Sequence, residues 1–139
     1  MKTLLCSFWV VLFLSFNSFA QDSLAVKDTI TTASGLKYIV ITKGTGEKAE
    51  AGKQVEVNYT GYLTDGNIFD SSIKRGVPFD FILGEGKVIR GWDEGIIGMK
   101  KGGKRTLTVP HQYGYGKYGA GEIPGFATLM FDIELLDIT

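Results

Sequence analysis

Cysteine and histidine are nearly missing from these 139 residues: the chain holds one of each, Cys6 and His111. A zinc site takes three or four ligands, and no Cys/His cluster exists to supply them. An internal disulfide is excluded, since it needs two cysteines. A hydrolytic triad would have to recruit His111 beside Pro110 on a turn, and no G-x-S-x-G elbow is present. His111 is therefore read as a loop residue without a catalytic role. An excess of one charge is also lacking, with Lys and Arg numbering 15 and Asp and Glu 15. No basic stripe is interleaved with aromatics, which argues against a nucleic-acid partner. The charges are dispersed, as on a solvated surface.

Long apolar runs are absent too. The run Leu4 to Phe16 carries no charge but is short for a membrane span, which takes about 20 residues. Lys2 precedes it, and Ser18-Phe19-Ala20 follows with small residues at the positions a signal peptidase reads. Residues 1–20 are therefore read as a secretory signal peptide, with an uncleaved anchor as the alternative. Cys6 lies too early for a lipoprotein cleavage site. The mature chain would be Gln21–Thr139, with 14 basic against 15 acidic side chains and no cysteine. Exported into an oxidising compartment without disulfides, it must rest on a packed core. The destination is the periplasm in a bacterium with an outer membrane, and secretion otherwise. The final Asp137-Ile138-Thr139 is no endoplasmic-reticulum retention signal.

Glycine is what the chain has in plenty, 19 of 139. That is about twice the usual share and favours a turn-rich sheet over a helical bundle. Residues 21–34, polar and rich in Ser and Thr, read as a flexible leader before a domain spanning 35–139. Leu36–Thr42 is β-branched and alternating. Val55, Val57 and Tyr59 alternate with polar residues, and Thr64-Asp65-Gly66-Asn67 carries a turn signal. Phe79, Phe81 and Leu83 alternate again. Arg105–Val109 reads as a strand closed by Pro110, and Leu129, Phe131, Ile133 and Leu135 as the inner face of a last one. Gly91–Met99 is the helical candidate, too short to cross over between parallel strands. The expected fold is α+β, an antiparallel sheet of about five strands half-wrapped around one short helix.

Two motifs mislead. Gly98 to Lys104 fits G-x-x-x-x-G-K, but Arg105 stands where a magnesium-binding Ser or Thr belongs, and a strand follows. A phosphate loop must open a helix, whose N-terminal amides hold the phosphates, so this is read as a glycine-rich turn. Asn58-Tyr59-Thr60 matches a glycosylation sequon but falls inside a strand.

The remaining signal is aromatic. Tyr59, Phe69, Phe79, Phe81, Trp92, Tyr113, Tyr115 and Phe131 come from separate strands and turns. All could be core, and Phe81 reads as core. Several, however, sit beside glycine in loops, and Tyr and Trp carry polar tips that want partners when buried. Such a set can line a concave apolar pocket.

Over Gly35 to Ile138 the chain resembles the FKBP-type peptidyl-prolyl cis–trans isomerases. The segments VNYTGYLTDGNIFDSS, VPFDFILGEGKVIRGWDEGIIGMKKGGKRTLTVP, YGYG and IPGFATLMFDIELLDI carry the resemblance in order, and Ser34-Gly35-Leu36-Lys37-Tyr38 is similar to the entry of secreted and periplasmic bacterial members. The long helical dimerisation segment of some of those is absent. The resemblance implies a pocket between sheet and helix, with Asp70, Trp92, Tyr115 and Phe131 as catalytic residues. It implies Tyr59, Phe69, Phe79, Val88, Ile89 and Ile123 as substrate-binding residues. In that reading Trp92 is the floor beneath a proline ring. The Ile89 N–H holds the carbonyl after the proline, and the Tyr115 hydroxyl holds one on the other side. Asp70 pairs with the Tyr59 hydroxyl and contacts ligands. Gly91 is expected to let the chain turn into the helix, and Asp93 and Glu94 to complement its positive end.

No cofactor or metal is implied. The implied partners are proline-containing segments of folding proteins and macrolide inhibitors, bound by a monomer. A non-catalytic chaperone on the same fold is the rival reading. The loop from Gly116 to Glu122 departs from many relatives: it is one residue shorter, carries Ala120 near its tip, and leads to Gly125-Phe126 where a Pro-His pair is common. Sequence preference and inhibitor affinity are the properties this touches.

Overall fold

A computed structural model describes residues 28–139. The signal peptide expected over residues 1–20, and the leader as far as residue 27, lie outside the described residues. Seven strands form one antiparallel sheet: β1 (Thr29–Thr31), β2 (Lys37–Thr42), β3 (Gln54–Leu63), β4 (Ile68–Ser71), β5 (Phe79–Ile82), β6 (Lys104–Val109) and β7 (Leu129–Ile138). Their order is β1-β2-β6-β7-β3-β4, with β5 also on β3. Two short helices, α1 (Ser72–Arg75) and α2 (Arg90–Gly95), and a 3-10 turn over His111–Tyr113 complete the domain.

The count exceeds the expected five because β1 and β4 are too short to show alternation. β1 falls inside the segment read as a flexible leader: Thr29 pairs with Ile39 and Thr31 with Lys37, so that stretch is part of the sheet. β4 follows the Asp-Gly turn as the return arm of a hairpin, its turn held by the Asp65 carboxylate accepting from the Asn67 N–H at 3.0 Å.

β3 and β7 are the long central strands, paired from Val55↔Ile138 to Leu63↔Leu129. Their alternation drives Val55, Val57, Tyr59, Leu129, Phe131, Ile133 and Leu135 into one buried layer, because successive side chains of a strand face opposite sides. On its other edge β3 changes partner. Gln54–Val57 pair with β5 and Thr60–Tyr62 with β4, leaving a gap at Asn58–Tyr59. The wholly buried Ser72 closes it. Its hydroxyl oxygen accepts from the Tyr59 N–H at 2.8 Å, and its hydroxyl donates to Asn58 Oδ1 at 3.0 Å. A strand N–H left unpaired inside the protein would cost about 1–3 kcal/mol, so α1, capped by Ser71, is where the sheet edge is repaired.

α2 lies against the concave side of the sheet. A Cβ on Gly91 would meet Val109 Cγ1 at 2.5 Å, and one on Gly95 would meet Leu107 Cδ1 at 2.8 Å. These glycines, one turn apart, let the helix touch β6 by its backbone. The expected role of Gly91 in turning the chain is thus replaced by close approach. Its φ is not among the positive ones. Arg105 fixes the far end, donating from Nη1 to the carbonyls of Gly95 (2.9 Å) and Ile97 (3.0 Å), with its guanidinium 4.2 Å from the Tyr38 ring centroid. A cation there offsets the negative end of a helix. The residue that spoils the phosphate-loop match is therefore a helix-capping arginine, and the run before it leads into β6.

Candidate active site

With its glycines on β6, α2 carries Trp92 on the adjoining face into a cluster of rings. The indole is 5% exposed. It meets Tyr59 at 4.7 Å and 78°, Phe131 at 5.4 Å and 83°, Phe81 at 5.8 Å and 43°, and Phe79 at 6.1 Å and 71°. These are the edge-to-face and tilted geometries that aromatic quadrupoles favour. Phe69 packs edge-on to Phe131 at 5.6 Å and 89°. Gly61 makes that possible, since a Cβ there would meet Phe69 Cζ at 2.7 Å and Phe131 Cε1 at 2.8 Å.

These rings wall a concavity of about 280 Å³, lined by Tyr59, Phe69, Asp70, Phe79, Lys87, Val88, Ile89, Trp92, Tyr115 and Phe131. Nine of the ten site residues expected from the sequence meet here. Ile123 does not. It is 7% exposed and packs in the same core as Tyr59, Trp92 and Phe131, and its backbone exchanges hydrogen bonds with Ala120 at 3.0 and 2.8 Å. Phe81 packs behind Trp92 as core, as expected. Wider depressions exist elsewhere on the surface. The one of about 550 Å³ beside β1 and β2 has no aromatic lining, so size alone does not mark the site.

Donors at the rim are free. The Ile89 carbonyl accepts the N–H groups of Trp92 and Asp93, which starts α2. The Ile89 N–H itself has no partner among the described residues, and neither has the Tyr115 hydroxyl, whose residue is 42% exposed. The Trp92 Nε1–H is buried without a partner among the described residues. Burying an unmet donor is a cost, so a tryptophan is not what packing alone would select here.

At the opposite rim Asp70 is fully engaged. Tyr59 donates its hydroxyl to one carboxylate oxygen, and Arg75 forms an ion pair with the other. Arg75 Nη2 also donates to the Tyr59 hydroxyl at 2.9 Å. Burial alone would push the Asp70 carboxyl up, but the hydrogen bonds from Tyr59 and Arg75 outweigh it and hold the group below its usual range. Burial, then the bond to Asp70, pushes the Tyr59 phenol up. Arg75 was not expected. The sequence carries no signal for it: the four-residue α1, which ends at Arg75, brings it back onto Asp70. Lys87, also unexpected, lines the rim before Val88.

The loops are tied down around this rim. Asp93 accepts from the N–H groups of Gly84 (2.9 Å) and Gly86 (3.0 Å), and Glu94 accepts from the Ser34 hydroxyl (2.6 Å) and Arg90 (2.8 Å). They brace the helix to its neighbours besides complementing its dipole. His111 lies outside the lining, its ring 5.1 Å from that of Phe126. The departing loop is closed by the Phe126 N–H donating to the Gly116 carbonyl at 3.0 Å. Phe126 takes φ 58° and is 66% exposed. No group of three or more metal-ligating side chains exists among the described residues.

Residues 45–136 match the family model for FKBP-type peptidyl-prolyl cis–trans isomerase. The chain is 52% identical over 105 residues to an FK506-binding protein of Neisseria meningitidis serogroup B, covering 75% of this chain and 96% of that protein. It is 46% identical over 113 residues to a probable FKBP-type peptidyl-prolyl cis–trans isomerase of Haemophilus influenzae, covering 81% of this chain and 46% of that one. Among solved structures it is similar to FkpA from Escherichia coli, with a TM-score of 0.77 and 44% identity over 86% of this chain and 55% of that one. It is also similar to AtFKBP13, with a TM-score of 0.76 and 39% identity over 81% of this chain and 99% of that one.

Proposed function

The chain belongs to the FKBP-type peptidyl-prolyl cis–trans isomerase family, and on that premise we propose that the Trp92-floored concavity is where it rotates the X–Pro bond. Rotation is slow in water because amide resonance holds the bond planar, with a barrier of about 18–20 kcal/mol. The planar amide is the more charge-separated form. A dry aromatic surround therefore disfavours it relative to the twisted one, and only contacts stronger in the twisted state accelerate the step.

In this reading the proline ring rests on Trp92 between Tyr59, Phe79 and Phe131. The Ile89 N–H takes the carbonyl after the proline, and the Tyr115 hydroxyl takes one on the other side. Val88 and Phe69 complete the walls. Asp70, bound by Tyr59 and Arg75 and still partly exposed, holds the Tyr59 ring in place and keeps a fixed negative charge at the rim. No bond to the protein forms. The supporting observation is the pair of donors, Ile89 N–H and Tyr115 OH, without partners among the described residues on the rim of an aromatic-walled site. A protease-coupled assay on a short proline peptide tests it. Acceleration is expected in the unsubstituted protein, together with a loss of about tenfold or less for Tyr115→Phe. Binding without acceleration would leave the rival chaperone reading.

The same concavity is proposed to bind the macrolide for which the FK506-binding relatives are named, and the protein to act as a monomer. Export to the periplasm, or secretion, is proposed from Lys2, the apolar run and Ser18-Phe19-Ala20, with proline-containing segments of folding exported proteins as substrates. Intact-mass measurement should then find Gln21 as the N-terminus of the exported protein, and retained Met1 would refute it.

This mechanism moves no proton. Asp70 is held ionised well below neutrality. Because its folded pKa is depressed, the stability it contributes is present above the unfolded value of about 3.9 and is lost as the pH falls through the lower folded value. Activity is expected to stay flat from about pH 6 to 9. A bell-shaped profile centred near neutrality would mean an acid–base pair instead.

A further inference from the structure

Phe69 belongs to two concavities. Beyond the aromatic site it also lines a depression of about 240 Å³ with Leu63, Asn67, Ile68 and Glu122. The two are contiguous across one ring. Ile68, 45% exposed, and the partly buried Leu63 and Phe69 give the depression an apolar shelf. Its polar groups include two acceptors. Glu122 is exposed and has no hydrogen bond or ion pair among the described residues. Asn67 donates both its backbone N–H and its amide nitrogen to Asp65, which leaves its Oδ1 free. No cation lines the depression. The ammonium of Lys117, in the same loop as Glu122, lies 4.9 Å from the Tyr118 ring centroid.

An apolar shelf ending in an unpaired carboxylate and an amide oxygen suits one kind of side chain. Lysine and arginine lay an aliphatic stem on apolar surface and keep the charged head among acceptors. An extended chain advances roughly 3.3–3.6 Å per residue, so a depression one ring away from the proline is within reach of a residue one or two positions along. We infer that this depression is an accessory subsite for a basic side chain next to the substrate proline, and that Glu122 sets a preference for basic over acidic flanks. The inference rests on the reading that the proline enters the Trp92 concavity.

The test uses acetylated, amidated proline peptides that differ at one position: two before, one before or one after the proline. Each position carries lysine, norleucine or glutamate. Catalysed exchange is read by magnetisation-exchange NMR, since a coupling protease would itself discriminate among these peptides. With the unsubstituted protein, one position should show kcat/KM for lysine about three- to tenfold above glutamate at low salt, carried by KM. Exposed ion pairs are worth a few-fold, and 0.5 M salt should reduce the ratio. Glu122→Gln should bring it near one and Glu122→Lys should invert it, with the norleucine peptide unchanged throughout. A ratio near one in the unsubstituted protein, or one that survives Glu122→Gln, overturns the subsite. No acceleration of the norleucine peptide would instead overturn the active-site reading.

Discussion

Trp92→Leu is expected to lower isomerase efficiency several-fold per folded molecule, weaken macrolide binding, and cost only about 1–3 kcal/mol of stability. Leucine keeps the floor apolar but removes the flat surface against which Tyr59 and Phe131 stand edge-on at 4.7 and 5.4 Å. The loss of contact area is partly offset, because the substitution also removes the buried N–H that has no partner. Function should therefore suffer out of proportion to stability, which separates a floor from ordinary core. Rates would be measured at 10 °C, where the uncatalysed reaction is slow, and normalised to folded protein by near-UV circular dichroism. Full activity and unchanged macrolide binding would return Trp92 to the core and remove the basis of the site assignment.

Gly61→Ala reaches the site through the backbone. The added methyl would lie 2.7 Å from Phe69 Cζ and 2.8 Å from Phe131 Cε1, inside the distance real Cβ atoms keep. Gly61 is paired on both sides, with Asp70 in β4 and Phe131 in β7, so the strand cannot step aside. The rings must move instead. Overpacking of this kind costs about 1–3 kcal/mol, and it should open the Phe69–Phe131 wall and lower kcat/KM by several-fold or more. Urea melts together with peptide assays would show both losses. A variant with unchanged midpoint and rate would mean that the two rings do not depend on one another for position.

Much of this domain is legible in its sequence. Period-two alternation marked β3 and β7 because both run far enough, with one face buried, to repeat the pattern several times. The aromatic set converged because each ring sits where a strand or turn meets the concave side. What stayed hidden was shorter or depended on contact. β1 has three exposed residues and is recognisable only from its register on β2. α1 is four residues long, and no periodicity can emerge in four. Arg75 becomes a neighbour of Asp70 and Tyr59 only once that single turn is made. Gly91 looked like a turning point because a helix begins there, whereas its missing side chain is what lets α2 lie on Val109. Ile123 is implied by the resemblance alone, and it is buried in the same core as Trp92 and Phe131.

The pairing of β3 with β7 also governs timing. Val55 has no partner on that edge until Ile138 exists, so the central ladder cannot close while the chain is still being made through its middle. Non-local pairing of this sort is slow, since a long loop must be ordered before any contact offsets it. A nascent chain therefore stays open until β7 emerges. The last strand thus acts as a latch on the central ladder, and the domain acquires its full shape only once the chain is made as far as β7.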